Sequence, residues 1–190
     1  IMKADIYKSL EIRDKAINAC MEYSDNPKQL KKVITGLFER GLTFDIVGTC
    51  PSPWEDNDLK MLLVIVRIGK DHFNFYSSYR DACLLDRQLF EDEICKRNSC
   101  LQGFKSNMLN PYNSHKASKA QKEVVESILY SVLCDAQSTL CSPDSFNDFC
   151  DDFGYDEDSM KAFDTYKAVS KHKRLLQKYI RPEQVESLPA

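Results

Sequence analysis

Leu42-Thr-Phe-Asp-Ile-Val47 marks the point where the pattern of the chain changes. On both sides of it apolar residues recur at helical spacing. Here Leu42, Phe44 and Ile46 alternate with Thr43 and Asp45, the period of two of a strand with one face buried. Residues 61–68 form a second run rich in β-branched side chains, and Gly69-Lys70-Asp71 supplies a turn. Residues 72–77 return with Phe73 and Phe75 on one face and Asn74 and Tyr76 on the other. Three such runs in succession predict an antiparallel meander. The segment Cys50-Pro-Ser-Pro-Trp-Glu-Asp-Asn-Asp58, with two prolines and the only tryptophan, reads as the loop between the first two.

Upstream, residues 3–23 place Ile6, Leu10, Ile17, Cys20 and Met21 at helical spacing. Ser24-Asp25-Asn26-Pro27 breaks that helix and starts another, since Asn26 suits an N-cap and Pro27 the first helical position. The second helix carries Leu30, Val33, Ile34, Leu37 and Phe38 on one face, and Gly41 supplies a left-handed stop. The sequence therefore predicts an N-terminal helical hairpin over residues 1–41 and an α+β core domain over 42–190. Downstream of the meander, residues 79–96 return to helical spacing through Ala82, Leu85, Leu89 and Cys95. Residues 98–118, with Gly103, Asn107, Asn110, Pro111 and Asn113, read as a long basic loop. A further helix follows over 119–136 with Val124, Val125, Ile128, Leu129, Val132 and Leu133. The fold class is α+β, a three-stranded antiparallel meander packed with helices.

The C-terminal third is dominated by Ser145-Phe-Asn-Asp-Phe-Cys-Asp-Asp-Phe-Gly-Tyr-Asp-Glu-Asp-Ser159. Asp144 or Ser145 can cap a short helix with Phe146, Phe149, Cys150 and Phe153 at i, i+3, i+4 and i+7, and Gly154 ends it. This spacing predicts that Phe146, Phe149, Phe153 and Phe163 are core residues. Asp156 is expected to start the last helix, with Glu157 and Asp158 at its positive end, and Pro182 to stop it after Ile180.

A chain of 190 residues with 43% hydrophobic content is large enough for a real core. No apolar run approaches the length of a membrane span, and Ile1-Met-Lys-Ala-Asp5 carries no leader-like apolar core, so a cytoplasmic location is expected. Cys20, Cys83, Cys95 and Cys134 fall in helical patterns, and no CxxC occurs among the eight cysteines; they read as small buried thiols in a reducing compartment. The net charge of −3 is unevenly placed. Residues 142–166 hold eight acids and one lysine, residues 167–190 hold six Lys/Arg and two Glu, and residues 94–122 hold six Lys/Arg and no acid. Surfaces of opposite sign follow from that distribution.

Two surfaces are candidate sites. Asp148, Asp151, Asp152, Asp156, Glu157 and Asp158, set among aromatics, suit docking onto a basic groove of another protein. Lys96, Arg97, Lys105, Lys116, Lys119 and Lys122, with Tyr112 interleaved, suit a nucleic-acid strand, cations following phosphates and the ring stacking on a base. A calcium loop is excluded, because counting back from Gly154 puts Phe149 and Phe153 at two of the three positions that need oxygen ligands. A metal-dependent hydrolase would require Asp151, Asp152, Asp156 and Asp158 to converge. His72, His115 and His172 accompany no nucleophile elbow or phosphate-cradling glycine loop. No enzyme and no cofactor is expected. The order helix, three strands, helix is similar to that of double-stranded-RNA-binding domains, but Tyr79-Arg-Asp-Ala-Cys-Leu84 lacks their basic cluster after the third strand.

The block Phe146-Asn-Asp-Phe-Cys-Asp-Asp-Phe-Gly-Tyr-Asp-Glu-Asp-Ser159 resembles the FxxFCxxFGYDxDS-like motif of a family of small proteins from phages and prophages of gut-type bacteria. The likeness extends over residues 62–180, including the strand residues Val64, Ile68, Phe73 and Phe75 and the final helix with its tyrosine and basic residues. The first two helices and the 98–118 loop lie outside it. The resemblance carries no established activity. It implies a mobile-element accessory protein that is not an enzyme and that binds and inhibits a host protein, such as a CRISPR effector among nucleic-acid-processing defence machinery.

Overall fold

A computed structural model describes residues 7–51, 60–76 and 119–190. Among them the elements are α1 (Leu10–Met21), α2 (Pro27–Glu39), β1 (Thr43–Pro51), β2 (Lys60–Ile68), β3 (Asp71–Tyr76), α3 (Lys119–Cys141), α4 (Phe146–Phe153), α5 (Met160–Leu176) and α6 (Pro182–Val185). The protein is α+β, with one antiparallel sheet in the order β1-β2-β3. The chain divides into two compact units, Ile1–Cys20 with Ile34–Val132, and Met21–Val33 with Leu133–Ala190. The expected helix over 79–96 and the loop over 98–118 lie outside the described residues.

In the first unit β2 is the central strand, and its β-branched run takes both neighbours. Val64 lies opposite Phe75, and Val66 lies between Phe44 and Phe73. All five side chains are buried, which fixes the register, because a slip of one residue would turn them to the other face. Phe44 has no exposed surface; the ring of Tyr7 meets it edge-on at 4.7 Å, and Phe38 lies 6.5 Å away. The Tyr7 hydroxyl accepts the Leu129 N–H at 2.9 Å. Gly41 ends α2 with φ 88, where a side chain would be strained, and Leu42 N–H then bonds Leu37 C=O at 2.9 Å. Gly69 N–H, in the β2–β3 turn, bonds Arg40 C=O at 3.0 Å.

Several boundaries depart from the periodic reading. α1 begins at Leu10, with Ser9 C=O accepting the Arg13 N–H at 3.0 Å. β1 runs on to Pro51, through part of the expected loop, after a bulge between Ile46 and Gly48 leaves one extra residue on its side of the ladder. Asp45, expected on a solvent face, is only 7% exposed; Arg67 Nε on the neighbouring strand meets its carboxylate at 3.2 Å. α3 continues five residues past Ala136, through the buried Thr139, to Cys141. α5 stops at Leu176, and Pro182 opens the short α6 at its N1 position.

The second unit gathers Leu30, Val33, Leu133, Phe149, Ala162 and Ile180 among its buried residues. Asn26 caps α2 through the Gln29 N–H at 3.2 Å, as its sequence predicts. The Ser24 hydroxyl donates to Ser187 C=O at 2.7 Å. Removing the Phe44 ring is expected to cost about 3–5 kcal/mol. Tyr7→Phe, which keeps the ring but loses the acceptor, is expected to cost only about 1 kcal/mol. Urea unfolding of the two variants checks the contrast.

Candidate functional site

The site is the corner formed by α4, the turn after it and the start of α5. Ser145 caps α4: its hydroxyl oxygen accepts the Asp148 N–H at 3.1 Å and its O–H donates to the Asp148 carboxylate at 2.6 Å. Gly154 closes the helix at φ 68 and ψ 31, so that its own N–H and that of Tyr155 both reach Cys150 C=O. The turn is held by Asp156, whose carboxylate accepts the Asp158 N–H at 3.1 Å and whose C=O accepts the Ser159 N–H at 3.0 Å. The N-cap of α5 is Ser159, through the Ala162 N–H at 3.3 Å, and not Asp156 as the charge pattern predicts. A compact hydroxyl nearer the first turn takes the role, which leaves Asp156, Glu157 and Asp158 in the exposed turn.

Phe149 is the buried pivot of the corner, 2% exposed. Phe153 lies 4.7 Å from it, Tyr155 stacks on it at 5.8 Å and 7°, and Tyr166 of α5 meets it at 5.5 Å. Phe146 meets Phe163 edge-on at 5.3 Å and Tyr166 at 5.5 Å. Two side chains of α5 then strap down the segment leading into α4. Tyr166 O–H donates to Asp144 C=O, while the Lys173 ammonium donates to Ser142 C=O and lies 2.7 Å from the Asp144 carboxylate. Lys173 is 11% exposed along its side chain, so this pair is shielded on one side. Residues 22 to 31 apart in sequence form these bonds, and no local pattern announces them.

Sequence spacing assigns Phe146, Phe149, Phe153 and Phe163 to the core. Phe149 is buried, but Phe153 is 51% exposed and Phe163 38% exposed, and Met160 beside them is 71% exposed. α4 has only eight residues, so Phe153, in its last position before the Gly154 stop, packs one side on Phe149 and leaves the other in solvent. Asp148, Asp151, Asp152, Asp156, Glu157 and Asp158 are all exposed around this apolar rim. None of the six forms an ion pair among the described residues. Asp151 and Asp152 stand in the last turn of α4, the negative end of its dipole, where a carboxylate costs about 0.3–1 kcal/mol.

The field of this cluster reaches inward. Burial pushes the Cys150 thiol up, and the charges of Glu157, Asp151 and Asp156 push it further. Cys20 and Cys150 are buried, as small apolar residues are, whereas Cys141 is exposed. Among the described residues no three His, Cys, Asp or Glu side chains gather as a metal site requires, so the convergence demanded of Asp151, Asp152, Asp156 and Asp158 is not found. Also among the described residues, no helix is long and apolar enough to cross a membrane. Of the candidate nucleic-acid residues, Lys119 and Lys122 fall in the first turn of α3, while Lys96, Arg97, Lys105, Tyr112 and Lys116 lie outside the described residues.

No protein-family model matches the chain, and no curated protein or solved structure matches it either.

Two outcomes follow from this geometry. Phe149→Ala is expected to cost about 3–5 kcal/mol and Phe153→Ala less than about 1 kcal/mol, although both remove the same ring from the same helix. Urea midpoints at equal slope check the difference. The second concerns His172, on α5, whose burial lowers its pKa below the ordinary 6.5, with Lys171 adding to the effect. The unfolded chain takes up the proton first, so stability is full above about pH 6.5 and falls as pH drops below it, until the folded form also protonates. Thermal melts from pH 7.5 to 5 should fall less steeply for His172→Gln than for the parent.

Proposed function

We propose that the protein is a non-enzymatic accessory factor of a phage or other mobile element, and that it binds and inhibits a host protein through the α4–α5 corner. The observation that carries this reading is a conflict between the site and stability. Six exposed carboxylates, none ion-paired among the described residues, share the α4–α5 corner with the exposed Phe153, Met160 and Phe163, and two of them oppose the dipole of their own helix. Folding gains nothing from Asp151 and Asp152 at that helix end, whereas a basic groove would neutralise the acids and cover the apolar rim. Such grooves are built to hold phosphate backbones, which points to nucleic-acid-processing defence machinery, CRISPR nucleases included, as the target. The likeness of residues 146–159 to a phage-protein motif supports the same direction.

Changing Asp151, Asp152, Asp156 and Asp158 together to Asn is expected to abolish binding to the partner recovered from host lysate, and to abolish inhibition of its nuclease activity. The same change should leave stability equal or raise it, by up to about 1 kcal/mol for each acid removed from the negative end of α4. Full inhibition by the folded fourfold variant would remove the acidic corner from the mechanism.

A further inference from the structure

The cations of α5 divide into those that the fold uses and those that it does not. Lys173 and Arg174 lie in the last turn, where cations match the helix dipole, and Lys173 is tied to Ser142 and Asp144. That account does not reach Lys167 or Lys171, which sit further up the helix. Lys167 packs over the Phe163 ring at 4.1 Å and lies 3.7 Å from Asp164. Lys171 and Arg174 are exposed and pair with no acid among the described residues. Lys171 even acts against its neighbour, since its charge disfavours protonation of His172.

Spacing places these cations together. At roughly 100° per residue, Lys167, Lys171 and Arg174 fall within an arc of about 60° and span about 10 Å along the axis. Lys178 continues the line just past the helix end, and all four are exposed. From Thr165 to Pro182 the chain contains no acid. We infer that this face of α5 is a second binding site, for the phosphate backbone of a nucleic-acid strand. A rigid row of cations over that length meets about three consecutive phosphates of one strand. Acids reach only the first of these cations: Lys167 lies 3.7 Å from Asp164, whereas Asp164 to Lys171 is about 10 Å of helix, more than the screening length of about 8 Å at physiological salt. An anionic membrane suits the face less, because Phe163 lies under Lys167 alone and no exposed large apolar residue stands beside Lys171, Arg174 or Lys178.

The test is fluorescence anisotropy with a labelled single-stranded oligonucleotide of about 20 nucleotides, titrated from low to physiological salt. Four cationic contacts give an expected log–log salt slope of about −3, and Lys171→Gln with Arg174→Gln should shallow it by about 1.4 and weaken binding at least about tenfold. Lys161→Gln, an exposed cation at the acidic end, should bind like the parent. A flat titration of the parent at low salt overturns the site. So does a double variant that binds with the parent's slope, or an equal loss in Lys161→Gln, which would reduce the effect to net charge. Binding to phosphatidylserine vesicles without binding to the oligonucleotide also overturns it.

Discussion

Phe149 places one ring at 2% exposure against Phe153 and Tyr155 from its own helix and turn, and against Tyr166 from the next helix. Burying such a ring contributes about 1.5–3 kcal/mol, and favourable ring pairs add about 0.5–1.5 kcal/mol each. Against a domain stability of about 5–15 kcal/mol, this is a large share concentrated at one side chain. Tyr166 carries the constraint onward, since its hydroxyl holds Asp144 C=O while its ring packs on Phe146 and Phe149. Through these contacts one buried ring ties α4 and the turn after it to α5.

The α+β class is legible in the sequence because β2 combines a β-branched run with flanking turn signals, and because the hairpin partners follow within a few residues. Caps are legible for the same reason: Asn26, Ser145, Gly41 and Gly154 act over one turn of backbone. What the sequence hides is decided by tertiary contact. Asp45 reads as a solvent residue until Arg67 is placed beside it, and Phe153 reads as core until the helix is seen to end under it. The acids are named correctly as exposed charge, but the α5 cap that frees three of them depends on a choice between Asp156 and Ser159 that composition does not make.

One helix therefore carries two surfaces of opposite character. Its start displays Met160 and Phe163 just after the exposed acids Asp156, Glu157 and Asp158, and its second half displays Lys171 and Arg174 in a stretch with no acid from Thr165 to Pro182. The core holds that helix through Ala162 and Leu176, which leaves the outer face unconstrained by packing. On the proposed reading, a partner at one end and a nucleic-acid strand at the other would need no moving parts, only a helix long enough to keep the two fields apart.

The bond from Ser24 to Ser187 joins positions 163 residues apart, and the unit that contains it is assembled from two distant pieces of chain. On the ribosome, residues 21–33 emerge long before residues 133–190, so this unit cannot close until synthesis has passed Ser187. The earlier segment must wait for its partner, whereas the sheet, built from neighbouring strands, can pair as it emerges. The order of folding is thus written into the connectivity: sheet first, the acid-bearing corner's own unit last.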